Sequence, residues 1–259
     1  MAASSAGVGW WRSPYPRPWT FSPHLQNTYE SNAMSTTFRS FAKINLHLQV
    51  LRRRHDGYHE LLTLFQSVGL ADQLSLELTS GGVELDVRSG AAPAGRANLA
   101  WRAAAGFLAR WAPGRGVRIV LDKEIPMGGG LGGGSSNAGT VLAGLQEMLN
   151  RPAAPRDLQA MAGELGADVP YFLVGGTALG RGRGDELTVV EDLPERSICL
   201  ATPPVEISTA QIFAELDLSR LERSRAGIEK ELEGRLAWDV VDRGWNDLEQ
   251  TVMRCYPVV

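Results

Sequence analysis

The order of apolar and polar positions predicts strands in the first half of the chain. Apolar residues alternate with polar ones across 44–50, and a period of two is typical of a strand with one buried face. The same alternation recurs at 74–78, 83–87 and 117–121. Because two glycines at 81–82 separate the second run from the third, we expect those two strands to pair as a hairpin.

Apolar residues at helical spacing predict helices further along the chain. One covers 98–111, a second follows Asn137 and ends before Pro152, and a third has Pro155 near its start and Gly166 at its C-terminal cap. The pattern also predicts a strand at 171–179, a Gly/Arg turn at 180–184, and helical stretches near 209–216, 219–234 and 246–254.

The first 33 residues differ from the rest of the chain. They contain three tryptophans and four prolines with little apolar periodicity, and they end in Ser-Asn-Ala directly before Met34. This tripeptide resembles the scar of a cleavable expression tag, so we expect residues 1–33 to be a tag or leader outside the fold. A targeting peptide is the alternative, since Glu30 is the only acid of the segment, although it has just two arginines.

Composition narrows the class of protein. The chain has 259 residues, of which 44% are hydrophobic and 21% charged, as in an ordinary globular enzyme of one large or two small domains. A formal net charge of -3 favours neither nucleic acid nor an anionic membrane as a partner. The two cysteines, Cys199 and Cys255, lack metal-ligand spacing. Reduced thiols fit a cytoplasmic protein.

The stretch 126–137 carries the strongest chemical signal, with six glycines in two triplets around Leu131. Glycines let backbone N–H groups approach a ligand closely. The loop follows a predicted strand and opens a predicted helix, whose N-terminus adds free donors and a partial positive charge. Such a site suits the phosphates of a nucleotide. It is neither a Walker A loop nor a dinucleotide fingerprint, so a neutralising lysine must come from elsewhere, with Lys43 and Lys123 as candidates.

Four segments in this order resemble motifs of known kinases. Residues 126–137 resemble the second motif of the galactokinase, homoserine, mevalonate and phosphomevalonate (GHMP) kinase superfamily. Residues 42–46, 56–61 and 166–170 resemble the first motif, the substrate loop and the catalytic-aspartate segment of its diphosphocytidyl-methylerythritol kinases. The resemblance extends over about 36–256.

The resemblance implies an α+β, two-domain kinase fold with the active site in the interdomain cleft. An N-terminal ATP-binding domain would cover 34–180 and a C-terminal domain 181–259. The family usually carries a third glycine-rich motif, and none follows residues 246–249. We therefore expect an incomplete C-terminal domain.

The reaction implied is transfer of the γ-phosphoryl group of ATP to a hydroxyl of 4-diphosphocytidyl-2-C-methyl-D-erythritol, in non-mevalonate isoprenoid synthesis. The co-substrate would be ATP with Mg²⁺, and the partner a small cytidine diphosphate-linked molecule rather than nucleic acid or membrane. The oligomeric state stays open. Two alternatives remain: another small-molecule kinase of the superfamily, and a non-catalytic nucleotide-binding protein.

Carried over residue by residue, the resemblance makes Asp168 the candidate proton acceptor and Lys43 its partner. From the residues alone, Asp168 also fits a helix N-cap, and Lys43 a solvated lysine on the polar strand face that it shares with Asn45 and His47.

The remaining candidates divide between the two ligands. Tyr58 and His59 would grip the cytidine, with Phe213 as a second aromatic face and Asn45 and Thr209 as further substrate contacts. Phe213 also fits a core position on a short helix. The ATP-binding candidates are Asn98, Lys123, Pro126, Met127, Gly128, Gly129, Gly130, Leu131, Gly132, Gly133, Gly134, Ser135 and Ser136.

Overall fold

A computed structural model describes residues 31–32, 35–203, 205–221, 232, 241–242 and 244–259. Its strands are β1 (Ser31–Asn32), β2 (Ser35–Arg53), β3 (His59–Thr79), β4 (Val83–Ser89), β5 (Gly116–Asp122), β6 (Thr177–Arg181) and β7 (Glu186–Val189). Its α-helices are α1 (Leu99–Trp111), α2 (Gly133–Met148), α3 (Pro155–Leu165), α4 (Val169–Phe172), α5 (Thr209–Ala214) and α6 (Glu249–Cys255). Short 3-10 helices lie at Gly95–Ala97 and Leu218–Arg220. The described helices are all too short or too polar to cross a bilayer.

All seven strands belong to one mixed sheet, in which β3 is central. β2 pairs with nearly the whole length of β3. On the other edge of β3, β5 pairs with residues 73–79 and β6 with residues 63–66. The helices α1, α2 and α3 cover the β3–β5 part of the sheet and enclose the largest core. The α+β class is therefore confirmed.

The hairpin predicted around the two glycines at 81–82 is wrong. β5 lies between β3 and β4, and β4 pairs with β5 in parallel. On β5, Val117, Ile119 and Leu121 are completely buried, whereas β4 alternates between half-buried and exposed positions. The more apolar strand, β5, thus lies inside the sheet, and β4 lies at its edge. Helix α1 connects these two parallel strands.

The strand predicted at 171–179 is also wrong in its first half. Tyr171 and Phe172 lie in α4, and the strand begins only at Thr177. Their rings are buried against Phe65 and against each other, so tertiary packing rather than strand alternation buries these aromatic residues. The helices predicted at 98–111 and 155–165 are confirmed. Those predicted near 209–216 and 246–254 are confirmed at Thr209–Ala214 and Glu249–Cys255. The helix predicted at 219–234 lies almost wholly outside the described residues.

The sheet contains residues on both sides of each boundary between the predicted domains, and the domain division itself stays a prediction. Ser31 and Asn32, which the sequence placed outside the fold, pair with Thr36 and Ser35 of β2. β6 runs through the boundary predicted at 180/181 and continues the central sheet. Beyond β7, the described C-terminal residues attach to the far end of β2, where Leu48 and Val50 pack against Ile212 and Leu248.

Candidate active site

An open cleft of about 1370 Å³ lies between the glycine loop, the middle of β2 and the C-terminal segment 201–216. It brings together residues that are far apart in sequence and that were predicted to form one site. The predicted residues on its walls are Lys43, Asn45, Tyr58, His59, Lys123, Asp168, Thr209 and Phe213, together with Pro126, Met127, Gly128, Gly129, Gly130, Leu131, Gly132, Gly133, Gly134 and Ser135.

At the centre of the cleft, the Lys43 ammonium faces the Asp168 carboxylate. Lys43 Nζ lies 3.7 Å from Asp168 Oδ2, with the lysine side chain 7% exposed and the aspartate 37%. Asp168 occupies the N-cap position of α4, but its side chain makes no capping hydrogen bond. The carboxylate is therefore directed into the cleft instead of serving the helix.

A chain of hydrogen bonds fixes the lysine. Lys43 Nζ donates to Asn45 Oδ1 at 2.7 Å, and Asn45 Nδ2 donates to Thr63 Oγ1 at 2.7 Å. Thr63 Oγ1 in turn donates to the carbonyl of His47 at 2.8 Å. Because the amide of Asn45 uses both its ends, its orientation is determined, and with it the position of the ammonium group.

His47 does not share the face of Lys43 and Asn45, so that part of the prediction is wrong. A register shift lies between Asn45 and His47, and a bulge of this kind reverses the side on which the following residues project. His47 is 1% exposed. Its ring meets the Trp245 ring edge to face, with the two ring centroids 4.4 Å apart.

The glycine loop has the backbone that its sequence predicted. Gly128, Gly130 and Gly132 have φ values of 71°, 70° and 70°, in the region that only glycine enters freely. Gly132 is the N-cap of α2. A Cβ on Gly132 would lie 2.8 Å from Phe172 Cζ and 3.2 Å from Lys43 Cγ. The loop therefore closes on the lysine, whose backbone N–H also donates to Leu131 at 3.0 Å.

A fully buried carboxylate, Asp72, ties the two ends of the loop together. It accepts hydrogen bonds from the N–H groups of Glu124 and Ile125, each at 2.8 Å, and from Asn137 Nδ2 at 2.8 Å. The Lys123 ammonium group also donates to it. Lys123 thus reaches the cleft with its charge already compensated by a buried partner.

Asp72 was missed by the sequence reasoning, although the pattern contained a signal. Alternation places Asp72 on the same face of β3 as Leu74 and Leu76, which is the core face. An acid on such a face needs partners, because burying an unpaired charge is costly. A search for charged residues in core positions would have found it.

Two predicted ATP contacts lie outside the cleft. Ser136 is 1% exposed, and its hydroxyl donates to the carbonyl of Phe41 at 2.6 Å. Asn98 caps α1, accepting from the Ala100 N–H at 2.9 Å through its side-chain oxygen. Both side chains are thus engaged in holding the fold, whereas the neighbouring Ser135 lines the cleft.

Aromatic side chains form the far end of the cleft. His59 and Phe213 stack with centroids 5.1 Å apart and ring planes 22° apart, and Tyr58 is 52% exposed. Burial, followed by the charge of Arg53, lowers the pKa of His59 below the ordinary value of 6.5. At neutral pH the imidazole is therefore uncharged and offers one donor and one acceptor.

Several known proteins are similar to this chain in sequence. A family model described as the GHMP kinases N terminal domain matches residues 98–176. The chain is 41% identical to the 4-diphosphocytidyl-2-C-methyl-D-erythritol kinase of Moorella thermoacetica, covering 86% of this chain and 80% of that protein. It is 40% identical to the enzyme of the same name from Geobacter sulfurreducens, covering 86% and 79%.

A solved structure gives the same result for the fold. The crystal structure of a 4-(cytidine 5'-diphospho)-2C-methyl-D-erythritol kinase matches with a TM-score of 0.66 and 37% identity, over 85% of this chain and 78% of that one. From these similarities in sequence and structure, the chain belongs to the 4-diphosphocytidyl-2-C-methyl-D-erythritol kinases, a family of GHMP kinases and hence of phosphotransferases.

Proposed function

We propose that this protein transfers the γ-phosphoryl group of ATP to a hydroxyl of 4-diphosphocytidyl-2-C-methyl-D-erythritol. The observation that carries the proposal is the Lys43–Asp168 pair, 3.7 Å apart, held against a glycine loop suited to phosphates. The names of the similar kinases support the choice of acceptor.

The glycine loop would bind the triphosphate. Its left-handed glycines line the cleft, and α2 begins at Gly133 on the same wall, where its N-terminal N–H groups and partial positive charge would attract phosphate. Ser135, in the first turn of α2, adds a hydroxyl donor on the same wall. These donors would neutralise phosphate charge without a loop lysine.

The lysine and the aspartate would act on the acceptor. A bond forms between the acceptor oxygen and the γ-phosphorus, the bond from that phosphorus to the bridging oxygen breaks, and ADP leaves. Asp168 accepts the hydroxyl proton. Lys43, fixed by Asn45, orients the carboxylate and offsets the charge that develops on the transferred group.

The aromatic end of the cleft would bind the cytidine. Tyr58 and Phe213 offer ring faces for the base, and the neutral His59 can hydrogen-bond its edge. Thr209, at the start of α5, lines the same wall. Because His59 and Phe213 stack on each other, a base that stacks on that same face of Phe213 must displace the imidazole.

Mg²⁺ would enter with the nucleotide. Within the described ranges, no three His, Cys, Asp or Glu side chains are grouped to hold a metal by themselves. Mg²⁺ usually takes most of its ligands from phosphates and water, and Asp168 and Ser135 offer oxygen atoms in the cleft. When bound, the ion would neutralise phosphate charge.

The free cysteines, Cys199 and Cys255, fit a reducing cytoplasm.

A turnover assay tests the proposal. The purified chain is incubated with ATP and Mg²⁺, and ADP release is measured with the cytidyl substrate, homoserine or mevalonate as the acceptor. We expect ADP release only with the cytidyl substrate. Release with another acceptor would indicate a different kinase of the superfamily, and ATP binding without any release would indicate a non-catalytic nucleotide-binding protein.

A further inference from the structure

Arg183 lies on the wall of the cleft beside the aromatic residues, without a role so far. It occupies the turn that joins β6 to β7. Its guanidinium carbon is 5.0 Å from the centroid of the Tyr58 ring, within the range in which a cation is attracted to an aromatic face. A residue far along the chain thus contacts the predicted base-binding tyrosine.

The turn itself is anchored to the strand that follows Tyr58. The N–H of Leu61 donates to the carbonyl of Gly182 at 2.7 Å. On its other side the substrate loop is held by Asp56, whose carboxylate accepts the Tyr58 N–H at 3.1 Å and Arg54 Nε at 3.0 Å. Backbone and side-chain contacts therefore keep the turn in register with the tyrosine.

The guanidinium group is also fixed within its own turn. Arg183 Nε donates to Asp185 Oδ2 at 3.0 Å, and Nη2 donates to the same oxygen. The backbone N–H of Arg183 donates to Asp185 Oδ1 at 3.2 Å. The side chain is 28% exposed. Because Asp185 already balances its charge, Arg183 is better suited to present a flat, oriented surface than to bind phosphate.

We infer that Arg183 is a positioning residue for nucleobase recognition, which covers one face of Tyr58 and leaves the opposite face for the cytosine. Asp185 holds the guanidinium plane in place. This inference rests on the proposed function, since it assumes that Tyr58 stacks on the base. It adds the β6–β7 turn to the determinants of substrate specificity.

The test compares Arg183→Ala, Arg183→Lys and Asp185→Asn with the wild type. For each, KM and kcat are measured for the cytidyl substrate and for ATP, and Kd is measured calorimetrically for cytidine diphosphate. We expect Arg183→Ala to raise KM for the cytidyl substrate and Kd for cytidine diphosphate about three- to tenfold, with KM for ATP unchanged. Arg183→Lys should do the same, because lysine keeps the charge but lacks the planar fork. Asp185→Asn should also raise the KM for the cytidyl substrate and the Kd for cytidine diphosphate.

A double-mutant cycle separates positioning from direct binding. If Arg183 acts through the tyrosine, Arg183→Ala should have no further effect in a Tyr58→Ala background. Arg110→Ala is the control, because Arg110 forms an exposed pair with Glu164 at 2.7 Å and does not line the cleft. This variant should bind cytidine diphosphate like the wild type.

The outcomes are distinct from those of the turnover assay. Absence of turnover in the wild type would refute the proposed function, while cytidine diphosphate binding still decides the role of Arg183. Wild-type binding by Arg183→Ala, or tighter binding by Asp185→Asn together with normal binding by Arg183→Lys, would overturn the inference. So would a wild-type chain that does not bind cytidine diphosphate.

Discussion

At the scale of single residues, Asp168 shows how a structural position serves chemistry. It stands where a capping aspartate would stand, but the carboxylate makes no capping bond and remains 37% exposed opposite Lys43. A capping bond is typically worth about 1 kcal/mol to a helix. The four-residue helix α4 forgoes it, and its buried aromatic side chains hold it in place instead.

Replacing Asp168 by Asn should separate chemistry from nucleotide binding. The amide keeps the shape but cannot accept the hydroxyl proton, so we expect kcat to fall by about 10²- to 10⁴-fold, with the Kd for ATP nearly unchanged. Steady-state kinetics and nucleotide calorimetry provide the two measurements. Asp157→Asn is the matched control, because it also removes one negative charge but lies exposed in the first turn of α3. A wild-type kcat in Asp168→Asn would remove this residue from the mechanism.

His59 should make the fold sensitive to mildly acidic pH. Its pKa in the folded chain lies below 6.5 because of burial and the charge of Arg53. Between that lowered pKa and 6.5 the unfolded chain binds more protons, so stability falls as the pH falls through this window. The wild type should therefore lose more stability than His59→Gln between pH 7.5 and about pH 5 in urea unfolding. Equal losses of stability in the two proteins would show that the lowered pKa of His59 does not cause the pH dependence.

At the scale of elements, the glycine loop depends on close approach as much as on backbone freedom. Gly130 and Gly132 share a φ of 70°, but their surroundings differ. A Cβ at Gly130 would meet nothing within 4 Å, whereas one at Gly132 would lie 2.8 Å from Phe172 Cζ. The second glycine is therefore required by packing against α4 as well as by its dihedral angles.

A pair of alanine variants separates these two requirements. Gly130→Ala should lower the free energy of unfolding by about 1–2 kcal/mol, the cost of a left-handed non-glycine residue. Gly132→Ala should have the same loss plus about 1–3 kcal/mol more, because its Cβ overlaps with neighbouring atoms. It should also displace Lys43. Urea unfolding measures both variants. If the two lose equal stability, Phe172 and Lys43 yield without cost and the packing argument is wrong.

At the scale of the whole molecule, residues 244–259 complete the cleft by attaching to β2. The Leu48 N–H donates to Trp245 at 2.8 Å, and the Asp247 N–H donates to Leu48 at 2.9 Å. Val50 N–H donates to Asp247 Oδ2 at 2.8 Å. The edge of β2 is thus covered around Leu48 and Val50, and the apolar cluster around Leu48 and Ile212 is closed beneath α5.

Asp247→Ala should weaken this attachment. It leaves the N–H of Val50 without its acceptor, so we expect a loss of about 1–3 kcal/mol in the free energy of unfolding. Asp247→Asn keeps an acceptor oxygen and should lose much less. Asp242→Ala, which breaks an exposed pair with Arg196, should cost about 0–1 kcal/mol. A loss in Asp247→Ala no larger than that of this control would show that the contact does not hold the segment.

The sequence by itself determined the features that depend on near neighbours. Alternation, helical spacing and the Pro155 and Gly166 signals predicted most elements, because these preferences act within a few residues. The glycine triplets likewise predicted a left-handed loop before a helix. The family followed from four short motifs, since the chemistry of a phosphate loop limits which residues it tolerates.

Only the tertiary structure decided what depends on long-range competition for burial. β5 displaced β4 from the side of β3 because its apolar face buries more completely. A bulge after Asn45 turned His47 inward, and Ser136 faced the core rather than the cleft. The resemblance paired Lys43 with Asp168, but no local pattern gives the 3.7 Å between them or the approach of Arg183 to Tyr58. Both contacts require elements that are more than 100 residues apart to pack together.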